Sequence, residues 1–517
     1  MRILAFLLSI TLPLAACAGN ATESGSACSL TKNDDGSATL QCGDEPAFEI
    51  GSGAVGEKGD PGAPGAPCTL TDNEDGTATL ECPDAEPVTV NLTPEAGSAQ
   101  TLEGSFTIRN GIDLDTLGAY SAITGSLIIE TQGMDEISLP GLQTLGGDLS
   151  IAGTDLKSFS APGLVTVGGE VILHHNTQLA EIDLSGLTEI AAQFSINSNQ
   201  SLGNLSLNNL QTIGGPISII DNSGLGTITM SNLTSLASAF WGFESQVIVK
   251  TELSIEESAS NYWALRIENN QDFSYLDARS LPTLEGCLKI MDNGALAGAN
   301  LNDLASISGA VDVQRNAGFG SLDLPSLVSV GGEMNVDDNP LLISCDLSSL
   351  TSIGGNLHLH DNATLQALNA NLLTSTGGLS IYKTGAVKLE LEGLQKIEGN
   401  VYISSNEALT AFSIPALEST KNLTISGNTL LEAAPLPSLV TVDGKLKISD
   451  NDVLTSFDLG QLTEVSKTFD IMNNELLPSC LVEAVVEKVT IGQTKKTNGN
   501  REDCDCDEST PPVATCE

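Results

Sequence analysis

The sequence predicts a mainly β protein built around a long parallel β-solenoid of about seventeen coils. Three observations lead to that fold class. One pattern recurs every 22 or 23 residues from about residue 102 to residue 475, the period of a stacked repeat array. Inside each unit two apolar residues flank one outward residue, as in Ile217/Ile219, Leu357/Leu359 and Leu446/Ile448. That alternation is a short strand pointing two side chains into a core. In twelve units an Asn follows three residues after the second of them.

The chain begins with a segment outside the fold. Arg2 gives residues 1–16 a positive start, and Ile3 to Leu14 form an apolar run too short to span a bilayer. This reads as a signal peptide. Leu14-Ala15-Ala16-Cys17 resembles the bacterial lipobox. The resemblance implies cleavage before Cys17, acylation of Cys17 and a lipidated tether over residues 17–27. Several acyl chains hold a protein to a membrane where one is marginal. By the same resemblance Ala18, in place of Asp, implies an outer-membrane or cell-surface address. No later apolar stretch has membrane length and the end, PPVATCE, carries no apolar tail, so neither a spanning helix nor a GPI signal is expected. Beyond Cys17 there are ten cysteines, an even number that suits an oxidising compartment.

Two small β modules follow, at 28–50 and 68–92. Residues 28–42 (CSLTKNDDGSATLQC) and 68–82 (CTLTDNEDGTATLEC) agree at ten of fifteen positions, an internal duplication at an offset of 40 residues. Each predicts a hairpin with an Asp-Gly turn, Asp35-Gly36 or Asp75-Gly76, and a third strand at AFEI or PVTV. So small a core needs a staple, and Cys28–Cys42 and Cys68–Cys82 disulfides are expected. The acidic turns are turn chemistry, with calcium as the alternative. Between the modules, residues 51–67 contain four Gly-X-Y triplets, GEKGDPGAPGAP. That collagen-like run is a semi-extended spacer or, alternatively, a homotrimeric stalk. A linker at 93–101 leads into the array.

The array spans 102–475, with unit starts running from 103 to 466. Seventeen strands stacked at the usual spacing give a rod about 80 Å long. Glycine pairs such as Gly146-Gly147, Gly331-Gly332 and Gly377-Gly378 fit corners where a side chain would collide. The recurring asparagines are Asn176, Asn199, Asn222, Asn270, Asn293, Asn316, Asn339, Asn362, Asn406, Asn428, Asn451 and Asn474. A buried polar residue repeated this way needs partners, so a structural ladder up the stack is expected. The pattern GG-x-L-x-I-x-x-N with trailing Leu and Ile resembles receptor L-domain-like repeats, a variant of the leucine-rich repeat. That resemblance implies a right-handed solenoid and names no ligand. Seventeen units exceed one receptor L domain, and no kinase or furin-like module accompanies them.

Residues 476–517 predict a cap. LPSCLVEAVVEKV, residues 477–489, places Leu481, Val482, Val485, Val486 and Val489 on one helical stripe, able to cover the last coil. Cys480, Cys504, Cys506 and Cys516 are expected to pin the acidic tail by disulfides, since Cys504-x-Cys506 lacks zinc spacing.

The charge bounds the function. With 66 Asp+Glu against 21 Lys+Arg the net charge is −45, which argues against nucleic-acid binding. Fifteen of those acids and only two lysines lie between Ala18 and Gln100. Aromatics make up 4% of the chain, yet Trp241, Phe243, Tyr262 and Trp263 cluster around an irregular unit at Ala237 to Asn261. They are the candidate binding residues, since Trp and Tyr dominate recognition hot spots; the alternative is a locally widened core. His358 and His360 share one strand face without a third metal ligand, and Cys287 and Cys345 have no local partner. No catalytic residue, metal or cofactor is expected. The expected function is a non-enzymatic, lipid-anchored surface protein that binds or adheres to a protein or glycan. A polysaccharide-lyase-like β-helix enzyme is one alternative, with Asp312 beside Arg315, or Asp337 with Asp338, as the nearest approximations to its site. A ligand-free envelope spacer is the other.

Overall fold

A computed structural model describes residues 28–32, 38–42, 48–50, 69–72, 77–81, 88–91, 100–237, 263–507 and 514–516. The chain divides into two compact units, 1–96 and 97–517. The first holds two antiparallel three-stranded sheets of the same design. Cys28–Lys32 pairs with Ala38–Cys42, which pairs with Phe48–Ile50. Thr69–Asp72, Thr77–Glu81 and Val88–Asn91 repeat that order. Cys28 and Cys42 are register partners. Cys17, the spacer triplets, Cys68 and Cys82 lie outside the described residues.

The second unit is a parallel β-solenoid of about sixteen turns. Its main sheet has, among the described residues, seventeen parallel strands, with Phe106–Ile108 at one edge and Thr494–Lys496 at the other. A second face is lined by two-residue strands such as Thr166–Val167 and Ser329–Val330. A third carries three-residue strands such as Glu181–Asp183 and Ser344–Asp346. The alternation in the sequence explains the main sheet directly. Leu149, Val171, Phe194, Ile217 and Leu265 form one inward column, and Ile151, Leu173, Ile196, Ile219 and Ile267 the next. All ten are buried. Each such side chain removed from water contributes on the order of 2 kcal/mol.

One presumed unit adds no strand to the main sheet among the described residues, and Thr494–Lys496, beyond the expected array, adds one. The sheet steps from Ile217 straight to Leu265, and the ladder bond there spans 48 residues where its neighbour spans 23. Residues 238–262 account for the difference.

Two kinds of corner shape each coil. The glycine pairs answer to close approach between coils: a Cβ on Gly146 would sit 2.2 Å from the Thr124 carbonyl oxygen, and one on Gly214 would sit 2.0 Å from that of Ala191. The left-handed corner lies elsewhere, at the residue just before each ladder position. His175, Asp221, Arg315, Asp361 and Ser405 all have φ between 51° and 57° there. Such a conformation costs roughly 1 kcal/mol or more for most side chains. It is sustained because the next residue is locked into the ladder.

Both ends of the solenoid carry a short helix. The first, α1, Gly111–Leu117, is capped by the Asn110 side chain, which accepts from the Ile112 and Asp113 N–H groups, and buries Leu117. The second, α2, Ser479–Val486, lies within the segment whose apolar stripe predicts a helix and buries Val482. Leu481, Val485 and Val486 pack against the core beside it. A Cys480–Cys506 disulfide ties α2 to the tail, with Cα atoms 5.8 Å apart. Cys504 is also disulfide-bonded, and its register partner in the terminal hairpin is Cys516.

Candidate functional site

The interior is occupied by structural chemistry. All twelve recurring asparagines have 0% exposure. In the typical rung, Asn293 donates its backbone N–H (3.1 Å) and its Nδ2 (3.0 Å) to Oδ1 of Asn316. The same Nδ2 donates to the carbonyls of Met291 and Ile267. Its own Oδ1 accepts from the Asn270 N–H and Nδ2, so every polar atom of the amide is engaged, as burial requires. The ladder is longer than the asparagines alone. Thr154 donates its N–H and Oγ1 to Asn176, and Thr384 does the same to Asn406. At the far end Asn474 donates to Oδ1 of Asn500. The Thr positions are visible in sequence only through register, and Asn500 stands 26 residues beyond Asn474, outside the period.

One broad surface left open is the outer face of the main sheet. Alternation places Arg266, Lys289, Asp312, Asn335, His358, Ser380, Tyr402 and Thr424 in one outward column. Glu268, Met291, Gln314, Asp337, His360, Tyr382 and Ser404 form the next. Several charges on and beside this face are paired between and along coils. Glu268 Oε2 meets Arg266 at 2.7 Å and Lys289 at 3.4 Å. Arg315 is bound to both oxygens of Asp292, at 2.7 and 2.8 Å, and not to Asp312. Lys383 pairs with Asp361 at 3.4 Å and Lys445 with Asp470 at 3.1 Å.

Rings are sorted by chemistry. Phe159, Phe194, Phe273, Phe319 and Phe469 point inward and are fully buried. Several rings with a polar edge stand on the outer face of the main sheet. Trp263 is half-buried there, with the Lys289 Nζ 4.9 Å from its ring centroid; its Nε1 is itself buried, with no partner among the described residues. Trp241, Phe243 and Tyr262 lie outside the described residues. The structure brings together a different group, spread over three successive rungs: His358 and His360, then Tyr382, then Tyr402. His358 and His360 meet edge to face with centroids 5.3 Å apart, and His360 and Tyr382 at 5.8 Å. Tyr382 and Tyr402 were not legible as a site, since they belong to separate repeats.

Burial sets the protonation of this face. It pushes the His360 imidazole below its ordinary value, with His358 adding to the effect and Asp337 and Asp361 opposing it. His360 Nε2 shares a 2.7 Å hydrogen bond with Ser380 Oγ. His174 has the same arrangement with Ser195, and burial likewise lowers it. Asp337 and Asp312 are pushed upward by burial. No group of three or more His, Cys, Asp or Glu able to hold a metal ion occurs among the described residues. Cys287 and Cys345 are buried thiols. Burial holds Cys345 up at about 12, so it is not a nucleophile at neutral pH.

No family model matches the chain, and no curated protein matches it.

Proposed function

We propose that this chain is an exported, lipid-anchored repeat protein that binds a partner at the cell surface through the outer face of its main sheet. The observation that carries the reading is the sorting of rings. Plain phenyl rings fill the core while His358, His360, Tyr382 and Tyr402 stand outward on one sheet. Rings needed only to fill a widened interior would have no reason to carry polar edges toward water. The lipobox resemblance at Cys17 and the triplets of residues 56–67 supply the anchor and spacer of this reading, and the repeat pattern likens the solenoid to receptor L domains. The membrane would be engaged through acylation alone. The reading involves no chemical step, and the engagement of Arg315 by Asp292 weighs against the lyase alternative, which needs a free base beside Asp312.

Two measurements test it. Cys17→Ala should move the protein from the membrane fraction to the soluble fraction; pelleting like the unaltered protein overturns the anchor. The detergent-solubilised protein should be retained on whole cells or isolated envelope material. Failure to bind either leaves the ligand-free spacer.

A further inference from the structure

The patch formed by His358, His360, Tyr382 and Tyr402 has a composition that selects among partners, a selection that rests on the surface-binding function proposed for the chain. Its four rings cover three adjacent rungs, each about 4.8 Å from the next, close to the length of one sugar unit in an extended polysaccharide. Tyr402 is 37% exposed and the other three are half-buried, so ring faces and edges are offered without mobility of long side chains. The neighbours in register are short hydrogen-bonding groups: Asn335 and the carboxylate of Asp337 below, Ser380 between the rings, and Ser404 and Thr424 above.

Charge argues for a neutral ligand. The cation nearest the rings, Lys383, lies 4.9 Å from the Tyr382 centroid and is paired with Asp361. Arg315, on the other side, is paired with Asp292. A chain of net charge −45 repels polyanions at long range. A protein partner would need a desolvated apolar centre. The exposed aliphatic side chains, Leu341, Ile343, Leu372 and Val387 among them, are absent from both outward columns here. Rings set among hydroxyls, an amide and one carboxylate match a saccharide instead, whose C–H faces stack on rings while its hydroxyls bond to Ser, Thr, Asn and Asp.

We propose that His358, His360, Tyr382 and Tyr402 form a docking platform for a neutral polysaccharide lying along the stacking direction of the main sheet. Affinity electrophoresis of the detergent-solubilised full-length protein tests this, with dextran, galactomannan and mixed-linkage β-glucan as neutral probes and polygalacturonate as the anionic one. Retardation by at least one neutral probe, and none by polygalacturonate, is the expected result. The His358→Ala/Tyr402→Ala double variant, which touches no core position, should weaken that binding about tenfold or more, the loss of two ring contacts. Tyr275→Ala, on the third face, should leave it unchanged. Circular dichroism checks that each variant is folded. Retardation by no neutral probe, preference for polygalacturonate, or undiminished binding by the double variant overturns the platform. If the double variant still binds whole cells as the unaltered protein does, the platform falls while the surface-binding function stands. If the unaltered protein binds neither cells nor polysaccharide, both fall.

Discussion

Asn222 donates its backbone N–H and its side-chain amide to Oδ1 of Asn270, at 3.0 and 3.1 Å, although the two residues are 48 positions apart. The other directly bonded pairs among the twelve recurring asparagines make the same backbone bond across 22 or 23 positions, as in Asn199 to Asn222 and Asn406 to Asn428. The geometry is the same across the longer connection. Segment 238–262 is therefore not required for the hydrogen-bonded continuity of the solenoid.

Deletion of residues 238–262 would return the Ile217-to-Leu265 step to the ordinary period. The shortened protein is expected to fold with a thermal midpoint within about 3 °C of the parent. A loss of cooperative unfolding by calorimetry would show that the segment is integral to the stack.

Asn339 tests the ladder. It accepts from the Asn316 N–H and Nδ2 and donates to the carbonyls of Val313 and Asp337. Asn339→Ala strands several buried groups at once and should cost about 3 kcal/mol or more in urea unfolding. Asn339→Thr should cost less, since Thr154 and Thr384 hold equivalent positions through Oγ1. Equal losses for Ala and Thr would mean that packing, not hydrogen bonding, makes the site sensitive.

Lys495 occupies an inward register position, opposite Phe469, yet it is exposed because its strand is the terminal edge of the main sheet. A charge at such a position resists pairing with a further strand. Lys495→Leu is expected to add larger species in sedimentation velocity, with Lys495→Glu unchanged from the parent. Matching profiles for the Leu variant and the parent would remove this role.

The two half-buried histidines, His174 and His360, make the protein acid-sensitive. His174 and His360 have folded-state values below their ordinary 6.5, chiefly through burial. Below 6.5 the unfolded chain binds more protons at these sites than the folded one does. Their neutral form thus supports the fold fully above that value, and the support is lost as the pH falls. Between about pH 7 and pH 5 the thermal midpoint of a His174→Gln/His360→Gln variant should fall less steeply than the parent's. Parallel slopes would exclude the histidines as the cause.

The coil was legible because its determinants are local. Val171 and Leu173, or Leu357 and Leu359, announce an inward-facing strand by spacing alone, and Asn176 or Asn362 marks the corner that follows. Thr154 and Thr384 escaped because a hydroxyl replaces the amide at the ladder register. The stretch from Ala237 to Asn261 passed for a coil because its 25 residues are close to one period. Only strand pairing reveals that Leu265 lies directly on Ile217.

The sequence by itself determined the repeat, the inward columns, the ladder asparagines and the terminal helix, because each depends on residues a few positions apart. The tertiary structure decided which coils are neighbours, that Arg315 holds Asp292, and that His360 meets Tyr382 from the next rung. Stacking is the physical reason. It sets residues about one period apart in sequence a strand spacing apart in space, and no pattern within a single unit encodes which side chains of two units will meet.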